Sequence, residues 1–456
     1  MRAPVFSVLA SLALVACFNP DDETPATGSD TDATTGTSMA TSDPTTDTPT
    51  TTSNPTTGVD SMTSTTDGPT TEGPTTTDAE TGTADTGSSS STGEPLPIEC
   101  GDGIPAPGEV CFDDAAVLNA GDIGYSPRVG EVNGDGNVDL LYMYGDQIVV
   151  RLGDGTGMFG PELPDETLFC SQMELADVDG DDVLDHVCVS ADDPSLQVSL
   201  GNGSGSFNLL ADSLTVGNGP VEIVAGPLNG DGSDDVATIH ADAAGGTNVV
   251  RVNLAQGGGA FSISDSISTG NLPGADIAMG DFTGDGVNDL VFSVAMGSNQ
   301  VRIAVNDGDG GFGQSLQVNT TTSGAFGVAA GDFNGDEDDD IAIANGDDVL
   351  ALLGTGTASF ETAVSLDTIG GSIAYRVAVD DVTNDDLADI IVVYSNQATV
   401  SVFPSAGDGT FGERVDLMVG VPSNSLSTGD VNADGVPDIV IGSTSDELIT
   451  VLISTP

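Results

Sequence analysis

Lysine and tryptophan are absent from this chain, and basic charge of any kind is scarce. Seven arginines stand against 72 aspartates and glutamates in 456 residues, a formal net charge of −65. Nucleic acids and anionic membrane surfaces need basic patches, so this balance argues against both as partners. Aromatic residues make up only 4% of the chain, and there are two histidines, His186 and His240. No GxSxG, HExxH or P-loop pattern occurs, and no lysine accompanies the GDGDGG-type runs to make a phosphate cradle. No catalytic constellation emerges, and an enzyme is not expected. Five cysteines without a CxxC or Cys/His cluster give no zinc site.

Long hydrophobic runs are also missing. The apolar stretch after Arg2 is too short to span a bilayer and reads, over residues 1–16, as a secretory signal. It ends Leu14-Val15-Ala16-Cys17, which resembles the bacterial lipobox. That resemblance implies lipidation at Cys17, a membrane held through the lipid anchor, and secretion across the inner membrane to the cell envelope. Phe18 in place of Asp favours outer-membrane or surface display. Residues 17–97 are then a tether. They are rich in Thr, Ser, Asp, Gly and Pro, and residues 18–97 carry fourteen acids and no base. Such a segment cannot bury a core and is expected to be disordered. Fully extended, it reaches on the order of 250 Å. Residues 98–111 resemble the short Cys-bracketed modules of bacterial surface proteins, with a Cys100–Cys111 bridge expected. Cys170 and Cys188 flank an acidic loop, and either a disulfide or two buried thiols suits them.

What the chain has in abundance is repetition. A nine-residue acidic loop occurs seven times, about 50 residues apart: Glu131–Asp139, Asp177–Asp185, Pro227–Asp235, Asp281–Asp289, Asp332–Asp340, Asp381–Asp389 and Asp430–Asp438. One period carries four short strands: Gly327-Val-Ala-Ala-Gly before the loop, Ile341-Ala-Ile-Ala after it, Val349-Leu-Ala-Leu-Leu, and a fourth around Ala363–Leu366 beyond a Gly-rich turn. Four strands at this period fit a propeller blade. The last repeat stops after its third strand, while a lone fourth-strand segment, Phe112 to Leu118, precedes the first loop. Pairing the two closes the ring and removes exposed sheet edges. The expectation is an all-β, seven-bladed propeller of four-stranded blades, closed by an N-terminal strand and spanning 112–456. Over this span the loops and following strands resemble FG-GAP/VCBS repeats, the units of the integrin alpha-subunit propeller and of many bacterial surface proteins.

The loop pattern is acid-x-Asp/Asn/Thr-x-Asp-Gly-x-x-Asp, which suits calcium. The ion takes six to eight oxygens, and alternate residues of a tight loop supply them. Candidate ligands are Glu131, Asn133, Asp135, Asp139; Asp177, Asp179, Asp181, Asp185; Asn229, Asp231, Asp235; Asp281, Thr283, Asp285, Asp289; Asp332, Asn334, Asp336, Asp340; Asp381, Thr383, Asp385, Asp389; and Asp430, Asn432, Asp434, Asp438. Glycine at position 6 permits the sharp turn. The loops beginning at Asp281 and Asp430 keep it and rank strongest. Those of Asp177, Asp332 and Asp381 replace it, and Pro227 costs the third loop a carboxylate. The ions are expected to be structural.

Recognition is expected on the opposite face. Tyr125, Tyr144, Tyr375 and Tyr394 recur there in phase, with Arg128 and Arg376 nearby, as a ligand rim or as strand-end packing. The expected role is that of a monomeric, surface-anchored binding or adhesion module for a surface protein or glycan. The alternatives are a carbohydrate-active enzyme or lectin of propeller form, and a structural surface-layer component.

Overall fold

The computed structural model describes residues 109–455 apart from 114–115, 120–123, 146, 168–169, 211–213, 242–247, 271, 295–299, 320–323 and 444–447. All of them lie in the second of two units, Ser90–Pro456. The signal segment, Cys17, the tether, most of the 98–111 module and Cys100 fall outside the described residues, and so does the expected Cys100–Cys111 bridge.

The first blade is an antiparallel meander of Gly124–Gly130, Asp139–Tyr144, Gln147–Arg151 and Leu163–Thr167. The same order recurs down the chain. In the second blade the outer strand comes as two pieces, Phe207–Leu209 and Leu214–Thr215, both paired with Asp193–Gly201. The seventh blade takes its outer strand from the N-terminus: Ala116–Asn119 pairs antiparallel with Leu448–Leu452, Ala116 opposite Val451. Phe112 extends this pairing to Ser454. Each inner strand packs beside that of the next blade, and the seventh packs beside the first. The result is a closed ring of seven blades.

The second strand of each blade explains how the ring coheres. In Asp389–Tyr394 all six residues are buried. Alternate side chains point to opposite faces of a strand. Ile390, Val392 and Tyr394 therefore enter the cluster shared with the fifth blade, while Ile391 and Val393 enter the one shared with the seventh. Seven apolar clusters result, one at each junction between neighbouring blades. Burying an Ile or Val side chain contributes about 1.5–3 kcal/mol, so these junctions carry most of the favourable energy. Seven inner strands crowd the axis. A Cβ on Gly327 would lie 2.9 Å from the backbone oxygen of Tyr375 on the next inner strand.

Candidate functional site

All seven acidic loops share one backbone. Position 6 is left-handed throughout: Gly136, Gly232, Gly286 and Gly435 adopt it, and so do Asp182 (φ 64°), Glu337 (φ 70°) and Asp386 (φ 66°). Position 4 is left-handed as well, with glycine in five loops but Asn384 (φ 56°) and Ala433 (φ 60°) in the last two. Position 2 is a buried apolar knob: Val132, Val178, Leu228, Phe282, Phe333, Val382 and Val431. It locks each loop onto an inter-blade cluster.

The carboxylates divide the loop's backbone donors among them. At position 1, Asp281 accepts from the N–H groups of Thr283 (3.1 Å), Gly284 (2.7 Å), Asp285 (3.2 Å) and Gly286 (2.7 Å). Asp332 does the same for residues 334–337. Pro227 has no carboxylate for this role. At position 5, each aspartate accepts from the position 7 N–H, as Asp285 does from Val287 at 3.0 Å. The other six repeat it.

Position 9 holds the least expected arrangement. Each aspartate is at most 1% exposed. One carboxylate oxygen accepts from the position 2 N–H of its own loop. The other accepts from a backbone N–H at the end of the third strand. For Asp340 these donors are Phe333 (2.8 Å) and Gly354 (2.6 Å); for Asp139, Val132 and Gly153; for Asp438, Val431 and Ser454. Asp185, Asp235, Asp289 and Asp389 follow suit. Each is therefore a buried staple between loop and sheet. Burial pushes these carboxyls up, to about 7 for Asp340 and Asp389 and about 6 for Asp185, against the pull of the two N–H groups. Reading the loops as ligand sets missed this role, although aspartate stands at position 9 in all seven repeats while positions 1 and 3 vary.

Neighbouring loops are also tied together. Asp234 donates its N–H to the Asp177 carbonyl (2.7 Å) and its carboxylate accepts the Asp177 N–H (3.0 Å). Asp339 and Asp281 repeat the exchange.

Do these residues suit a divalent cation? In the second blade, ligand oxygens of Asp177, Asp179 and Asp185 lie within 4.8 Å of one another. It is the one such acidic group among the described residues. Asp179 Oδ1 is buried there without a hydrogen-bond partner. Burial, then Asp181 and Asp177, push the Asp179 carboxyl up. A buried, unpartnered oxygen among carboxylates fits a hard cation. In three other loops the position 3 amide turns its nitrogen toward a carboxylate: Asn133 to Asp139, Asn229 to Asp231, and Asn432 to Asp434. Among carboxylates alone, those of the Asp177 loop are the ones that converge, while position 6 ranks the Asp281 and Asp430 loops first.

The four tyrosines do not assemble into one rim, and Tyr394 leaves it altogether. It is 0% exposed, in the cluster between the fifth and sixth blades, and its hydroxyl donates to Ser401 Oγ at 2.9 Å. The reason is strand alternation, which puts it on the same face as Ile390 and Val392. Tyr125 and Tyr144 are half-buried against two other clusters, and the Tyr125 hydroxyl donates to the Gly145 carbonyl. Tyr375 is half-buried, pairs with Phe326 (ring centroids 6.0 Å apart) and lies under the Arg376 guanidinium at 5.8 Å. His186 and His240 are both buried. Cys170 and Cys188 form a disulfide, their Cα atoms 5.7 Å apart.

The comparisons agree with this architecture. The FG-GAP-like repeat family matches residues 228–292, 291–343 and 381–441, so the chain carries FG-GAP-like repeats within a seven-bladed propeller. No curated protein matches it. Among solved structures, it is similar to a lectin from Burkholderia pseudomallei at 14% identity and TM-score 0.57, over 73% of this chain and 97% of that one. An Agrocybe aegerita lectin that recognises non-reducing terminal N-acetylglucosamine is similar at 20% identity and TM-score 0.52, over 71% and 86%. BBS1N, solved in complex with ARL6DN, is similar at 12% identity and TM-score 0.51, over 73% and 92%. At these identities the likeness is one of fold. A seven-bladed β-propeller built of FG-GAP-like repeats is the class that the repeats and the fold define.

Proposed function

We propose that this protein is a calcium-stabilised binding module displayed on a bacterial cell surface, where it engages a surface protein or a glycan. The observation that carries this reading is the division of labour between the two faces. One face is given over to seven loops whose carboxylates tie backbone to backbone. The other face, where strands two and three and successive blades connect, takes no part in that loop network. On that face the half-buried Tyr375–Phe326 pair would be the recognition element. The residues at 177, 179 and 185, with the equivalent sets of the other loops, would hold calcium. Bound there, the ion supplies positive charge where carboxylates crowd, and stiffens the loop. Cys17 would carry the lipid, and residues 18–97 would hold the ring away from the membrane.

A lectin is the second reading, favoured by the two lectins among the structural neighbours. Pull-down from surface extracts with and without calcium, alongside a glycan array, tests both. Calcium-dependent capture of one surface protein supports the first reading, and a glycan hit supports the second. Calcium-dependent self-association with neither sinks both in favour of a surface-layer component.

A further inference from the structure

Five residues before each acidic loop, the seven inner strands place Ser126, Gln172, Glu222, Asp276, Gly327, Arg376 and Ser425 around the axis. These side chains join across the ring. The Arg376 guanidinium, from the sixth blade, pairs with Glu222 of the third and Asp276 of the fourth. Gln172 Nε2 donates to the same Glu222 oxygen at 2.7 Å, and Ser126 Oγ donates to Gln172 Oε1 at 3.1 Å. Asp276 Oδ2 accepts the Val328 N–H at 3.0 Å, and the Ser126 N–H donates to Ser425 Oγ at 3.2 Å. Beside this ring Arg128 holds Glu174 with two hydrogen bonds, of 2.8 and 2.6 Å.

The charges do not balance. Three carboxylates (Glu174, Glu222 and Asp276) meet two guanidiniums (Arg128 and Arg376). Glu222 is 4% exposed and Asp276 5%. A surplus charge in such a site is costly, and a carboxylate there relieves the cost by taking up a proton.

We propose that this axial cluster is a proton-operated clasp. With a proton on Glu222 the remaining carboxylates match the guanidiniums and the ring is held across its axis. Loss of that proton leaves a surplus buried carboxylate facing Asp276 and Glu174, which destabilises the ring around its axis. Facing Glu222 are Arg376 from the sixth blade, Asp276 from the fourth, Gln172 and Glu174 from the second and Arg128 from the first; Tyr375 acts on Arg376, Val328 on Asp276, and Ser126 and Ser425 extend the cluster beyond Gln172. Burial pushes the Glu222 carboxyl up to about 7, with Arg376 and Arg128 opposing and Asp276 and Glu174 reinforcing the rise. Because the folded state binds this proton more tightly than the ordinary value of 4.5, its stabilisation is complete below that value. It is lost as pH rises through about 7. A rise of this size corresponds to a change on the order of 100-fold in the folding constant.

The test is carbonyl NMR of the full chain with carbon-13 in glutamate alone, which leaves the loop aspartates silent. One glutamate signal is expected to titrate with a midpoint near 7 and to vanish in Glu222→Gln. Amide exchange along Pro220–Gly226 and Ala374–Asp380, corrected for its intrinsic pH dependence, is expected to rise about tenfold or more between pH 5.5 and 8.5. Glu222→Gln should abolish that rise. Glutamate midpoints all in the ordinary range overturn the proposal, as does an equal rise in the variant. If Glu222→Gln does not fold, the wild-type titration decides alone.

Discussion

Replacing Asp340 by Asn keeps the side chain's volume and removes half of its purpose. The carboxylate is 0% exposed and accepts two backbone N–H groups, at 2.8 and 2.6 Å. An amide oxygen can accept one of them. The NH2 group then faces the other donor, which leaves a buried N–H without a partner. A hydrogen bond to a charged group contributes about 1.5–3 kcal/mol, and a buried unsatisfied donor costs about 1–3 kcal/mol. Burial already lifts the carboxyl to about 7, which offsets part of the native gain. The expected net loss is about 2–4 kcal/mol, or roughly 5 °C in Tm for a domain of this size. Calcium complicates the reading, because Asp340 is also a candidate ligand. The assay is therefore calorimetry in excess EDTA, with Asp336→Asn as the control. Asp336 is exposed and accepts one N–H, from Asp338 at 3.1 Å, which an amide oxygen can keep. Without calcium, Asp340→Asn should melt several degrees low and Asp336→Asn within about 1 °C of the parent. Equal melting of all three proteins would refute the staple.

Chelation itself should lower the melting temperature of the full chain by many degrees, reversibly on adding calcium, and Asp285→Ala should be milder than chelation. An unchanged melt in EDTA would remove calcium from the account. Ala433 sits at φ 60°, where a Cβ is unfavourable, so Ala433→Gly should stabilise by about 0.5–1 kcal/mol in denaturant titrations despite its entropy cost. Replacing Ala116–Asn119 by a Gly/Ser stretch would bare the edge of Leu448–Leu452. Light scattering should then report association, and the Tm should fall.

The period of the acidic loops was enough to count the blades, because one repeat cannot bury its own apolar faces and must stack. The stray segment after Phe112 was enough to predict the closure, because the last repeat lacked a strand. Both rest on local pattern. The same patterning held the answer to Tyr394: in DIIVVY it falls in phase with Ile390 and Val392, which marks a core face rather than a rim. The staples at position 9 were half legible, since an aspartate that never varies can be a ligand or a structural acceptor, and only the position of the third-strand N–H distinguishes them.

The sequence by itself determined the ring of seven, the loop conformation down to the left-handed turn at position 6, and the concentration of acid on one face. Those follow from short-range geometry repeated in register. Tertiary structure alone decided that Arg376 meets Glu222, 154 residues earlier in the chain. It also decided that the carboxylates of Asp177, Asp179 and Asp185 lie within 4.8 Å of one another. The axial contact depends on how far the ring's curvature carries one blade toward another. No local pattern records that distance, and it sets the electrostatics of the axis.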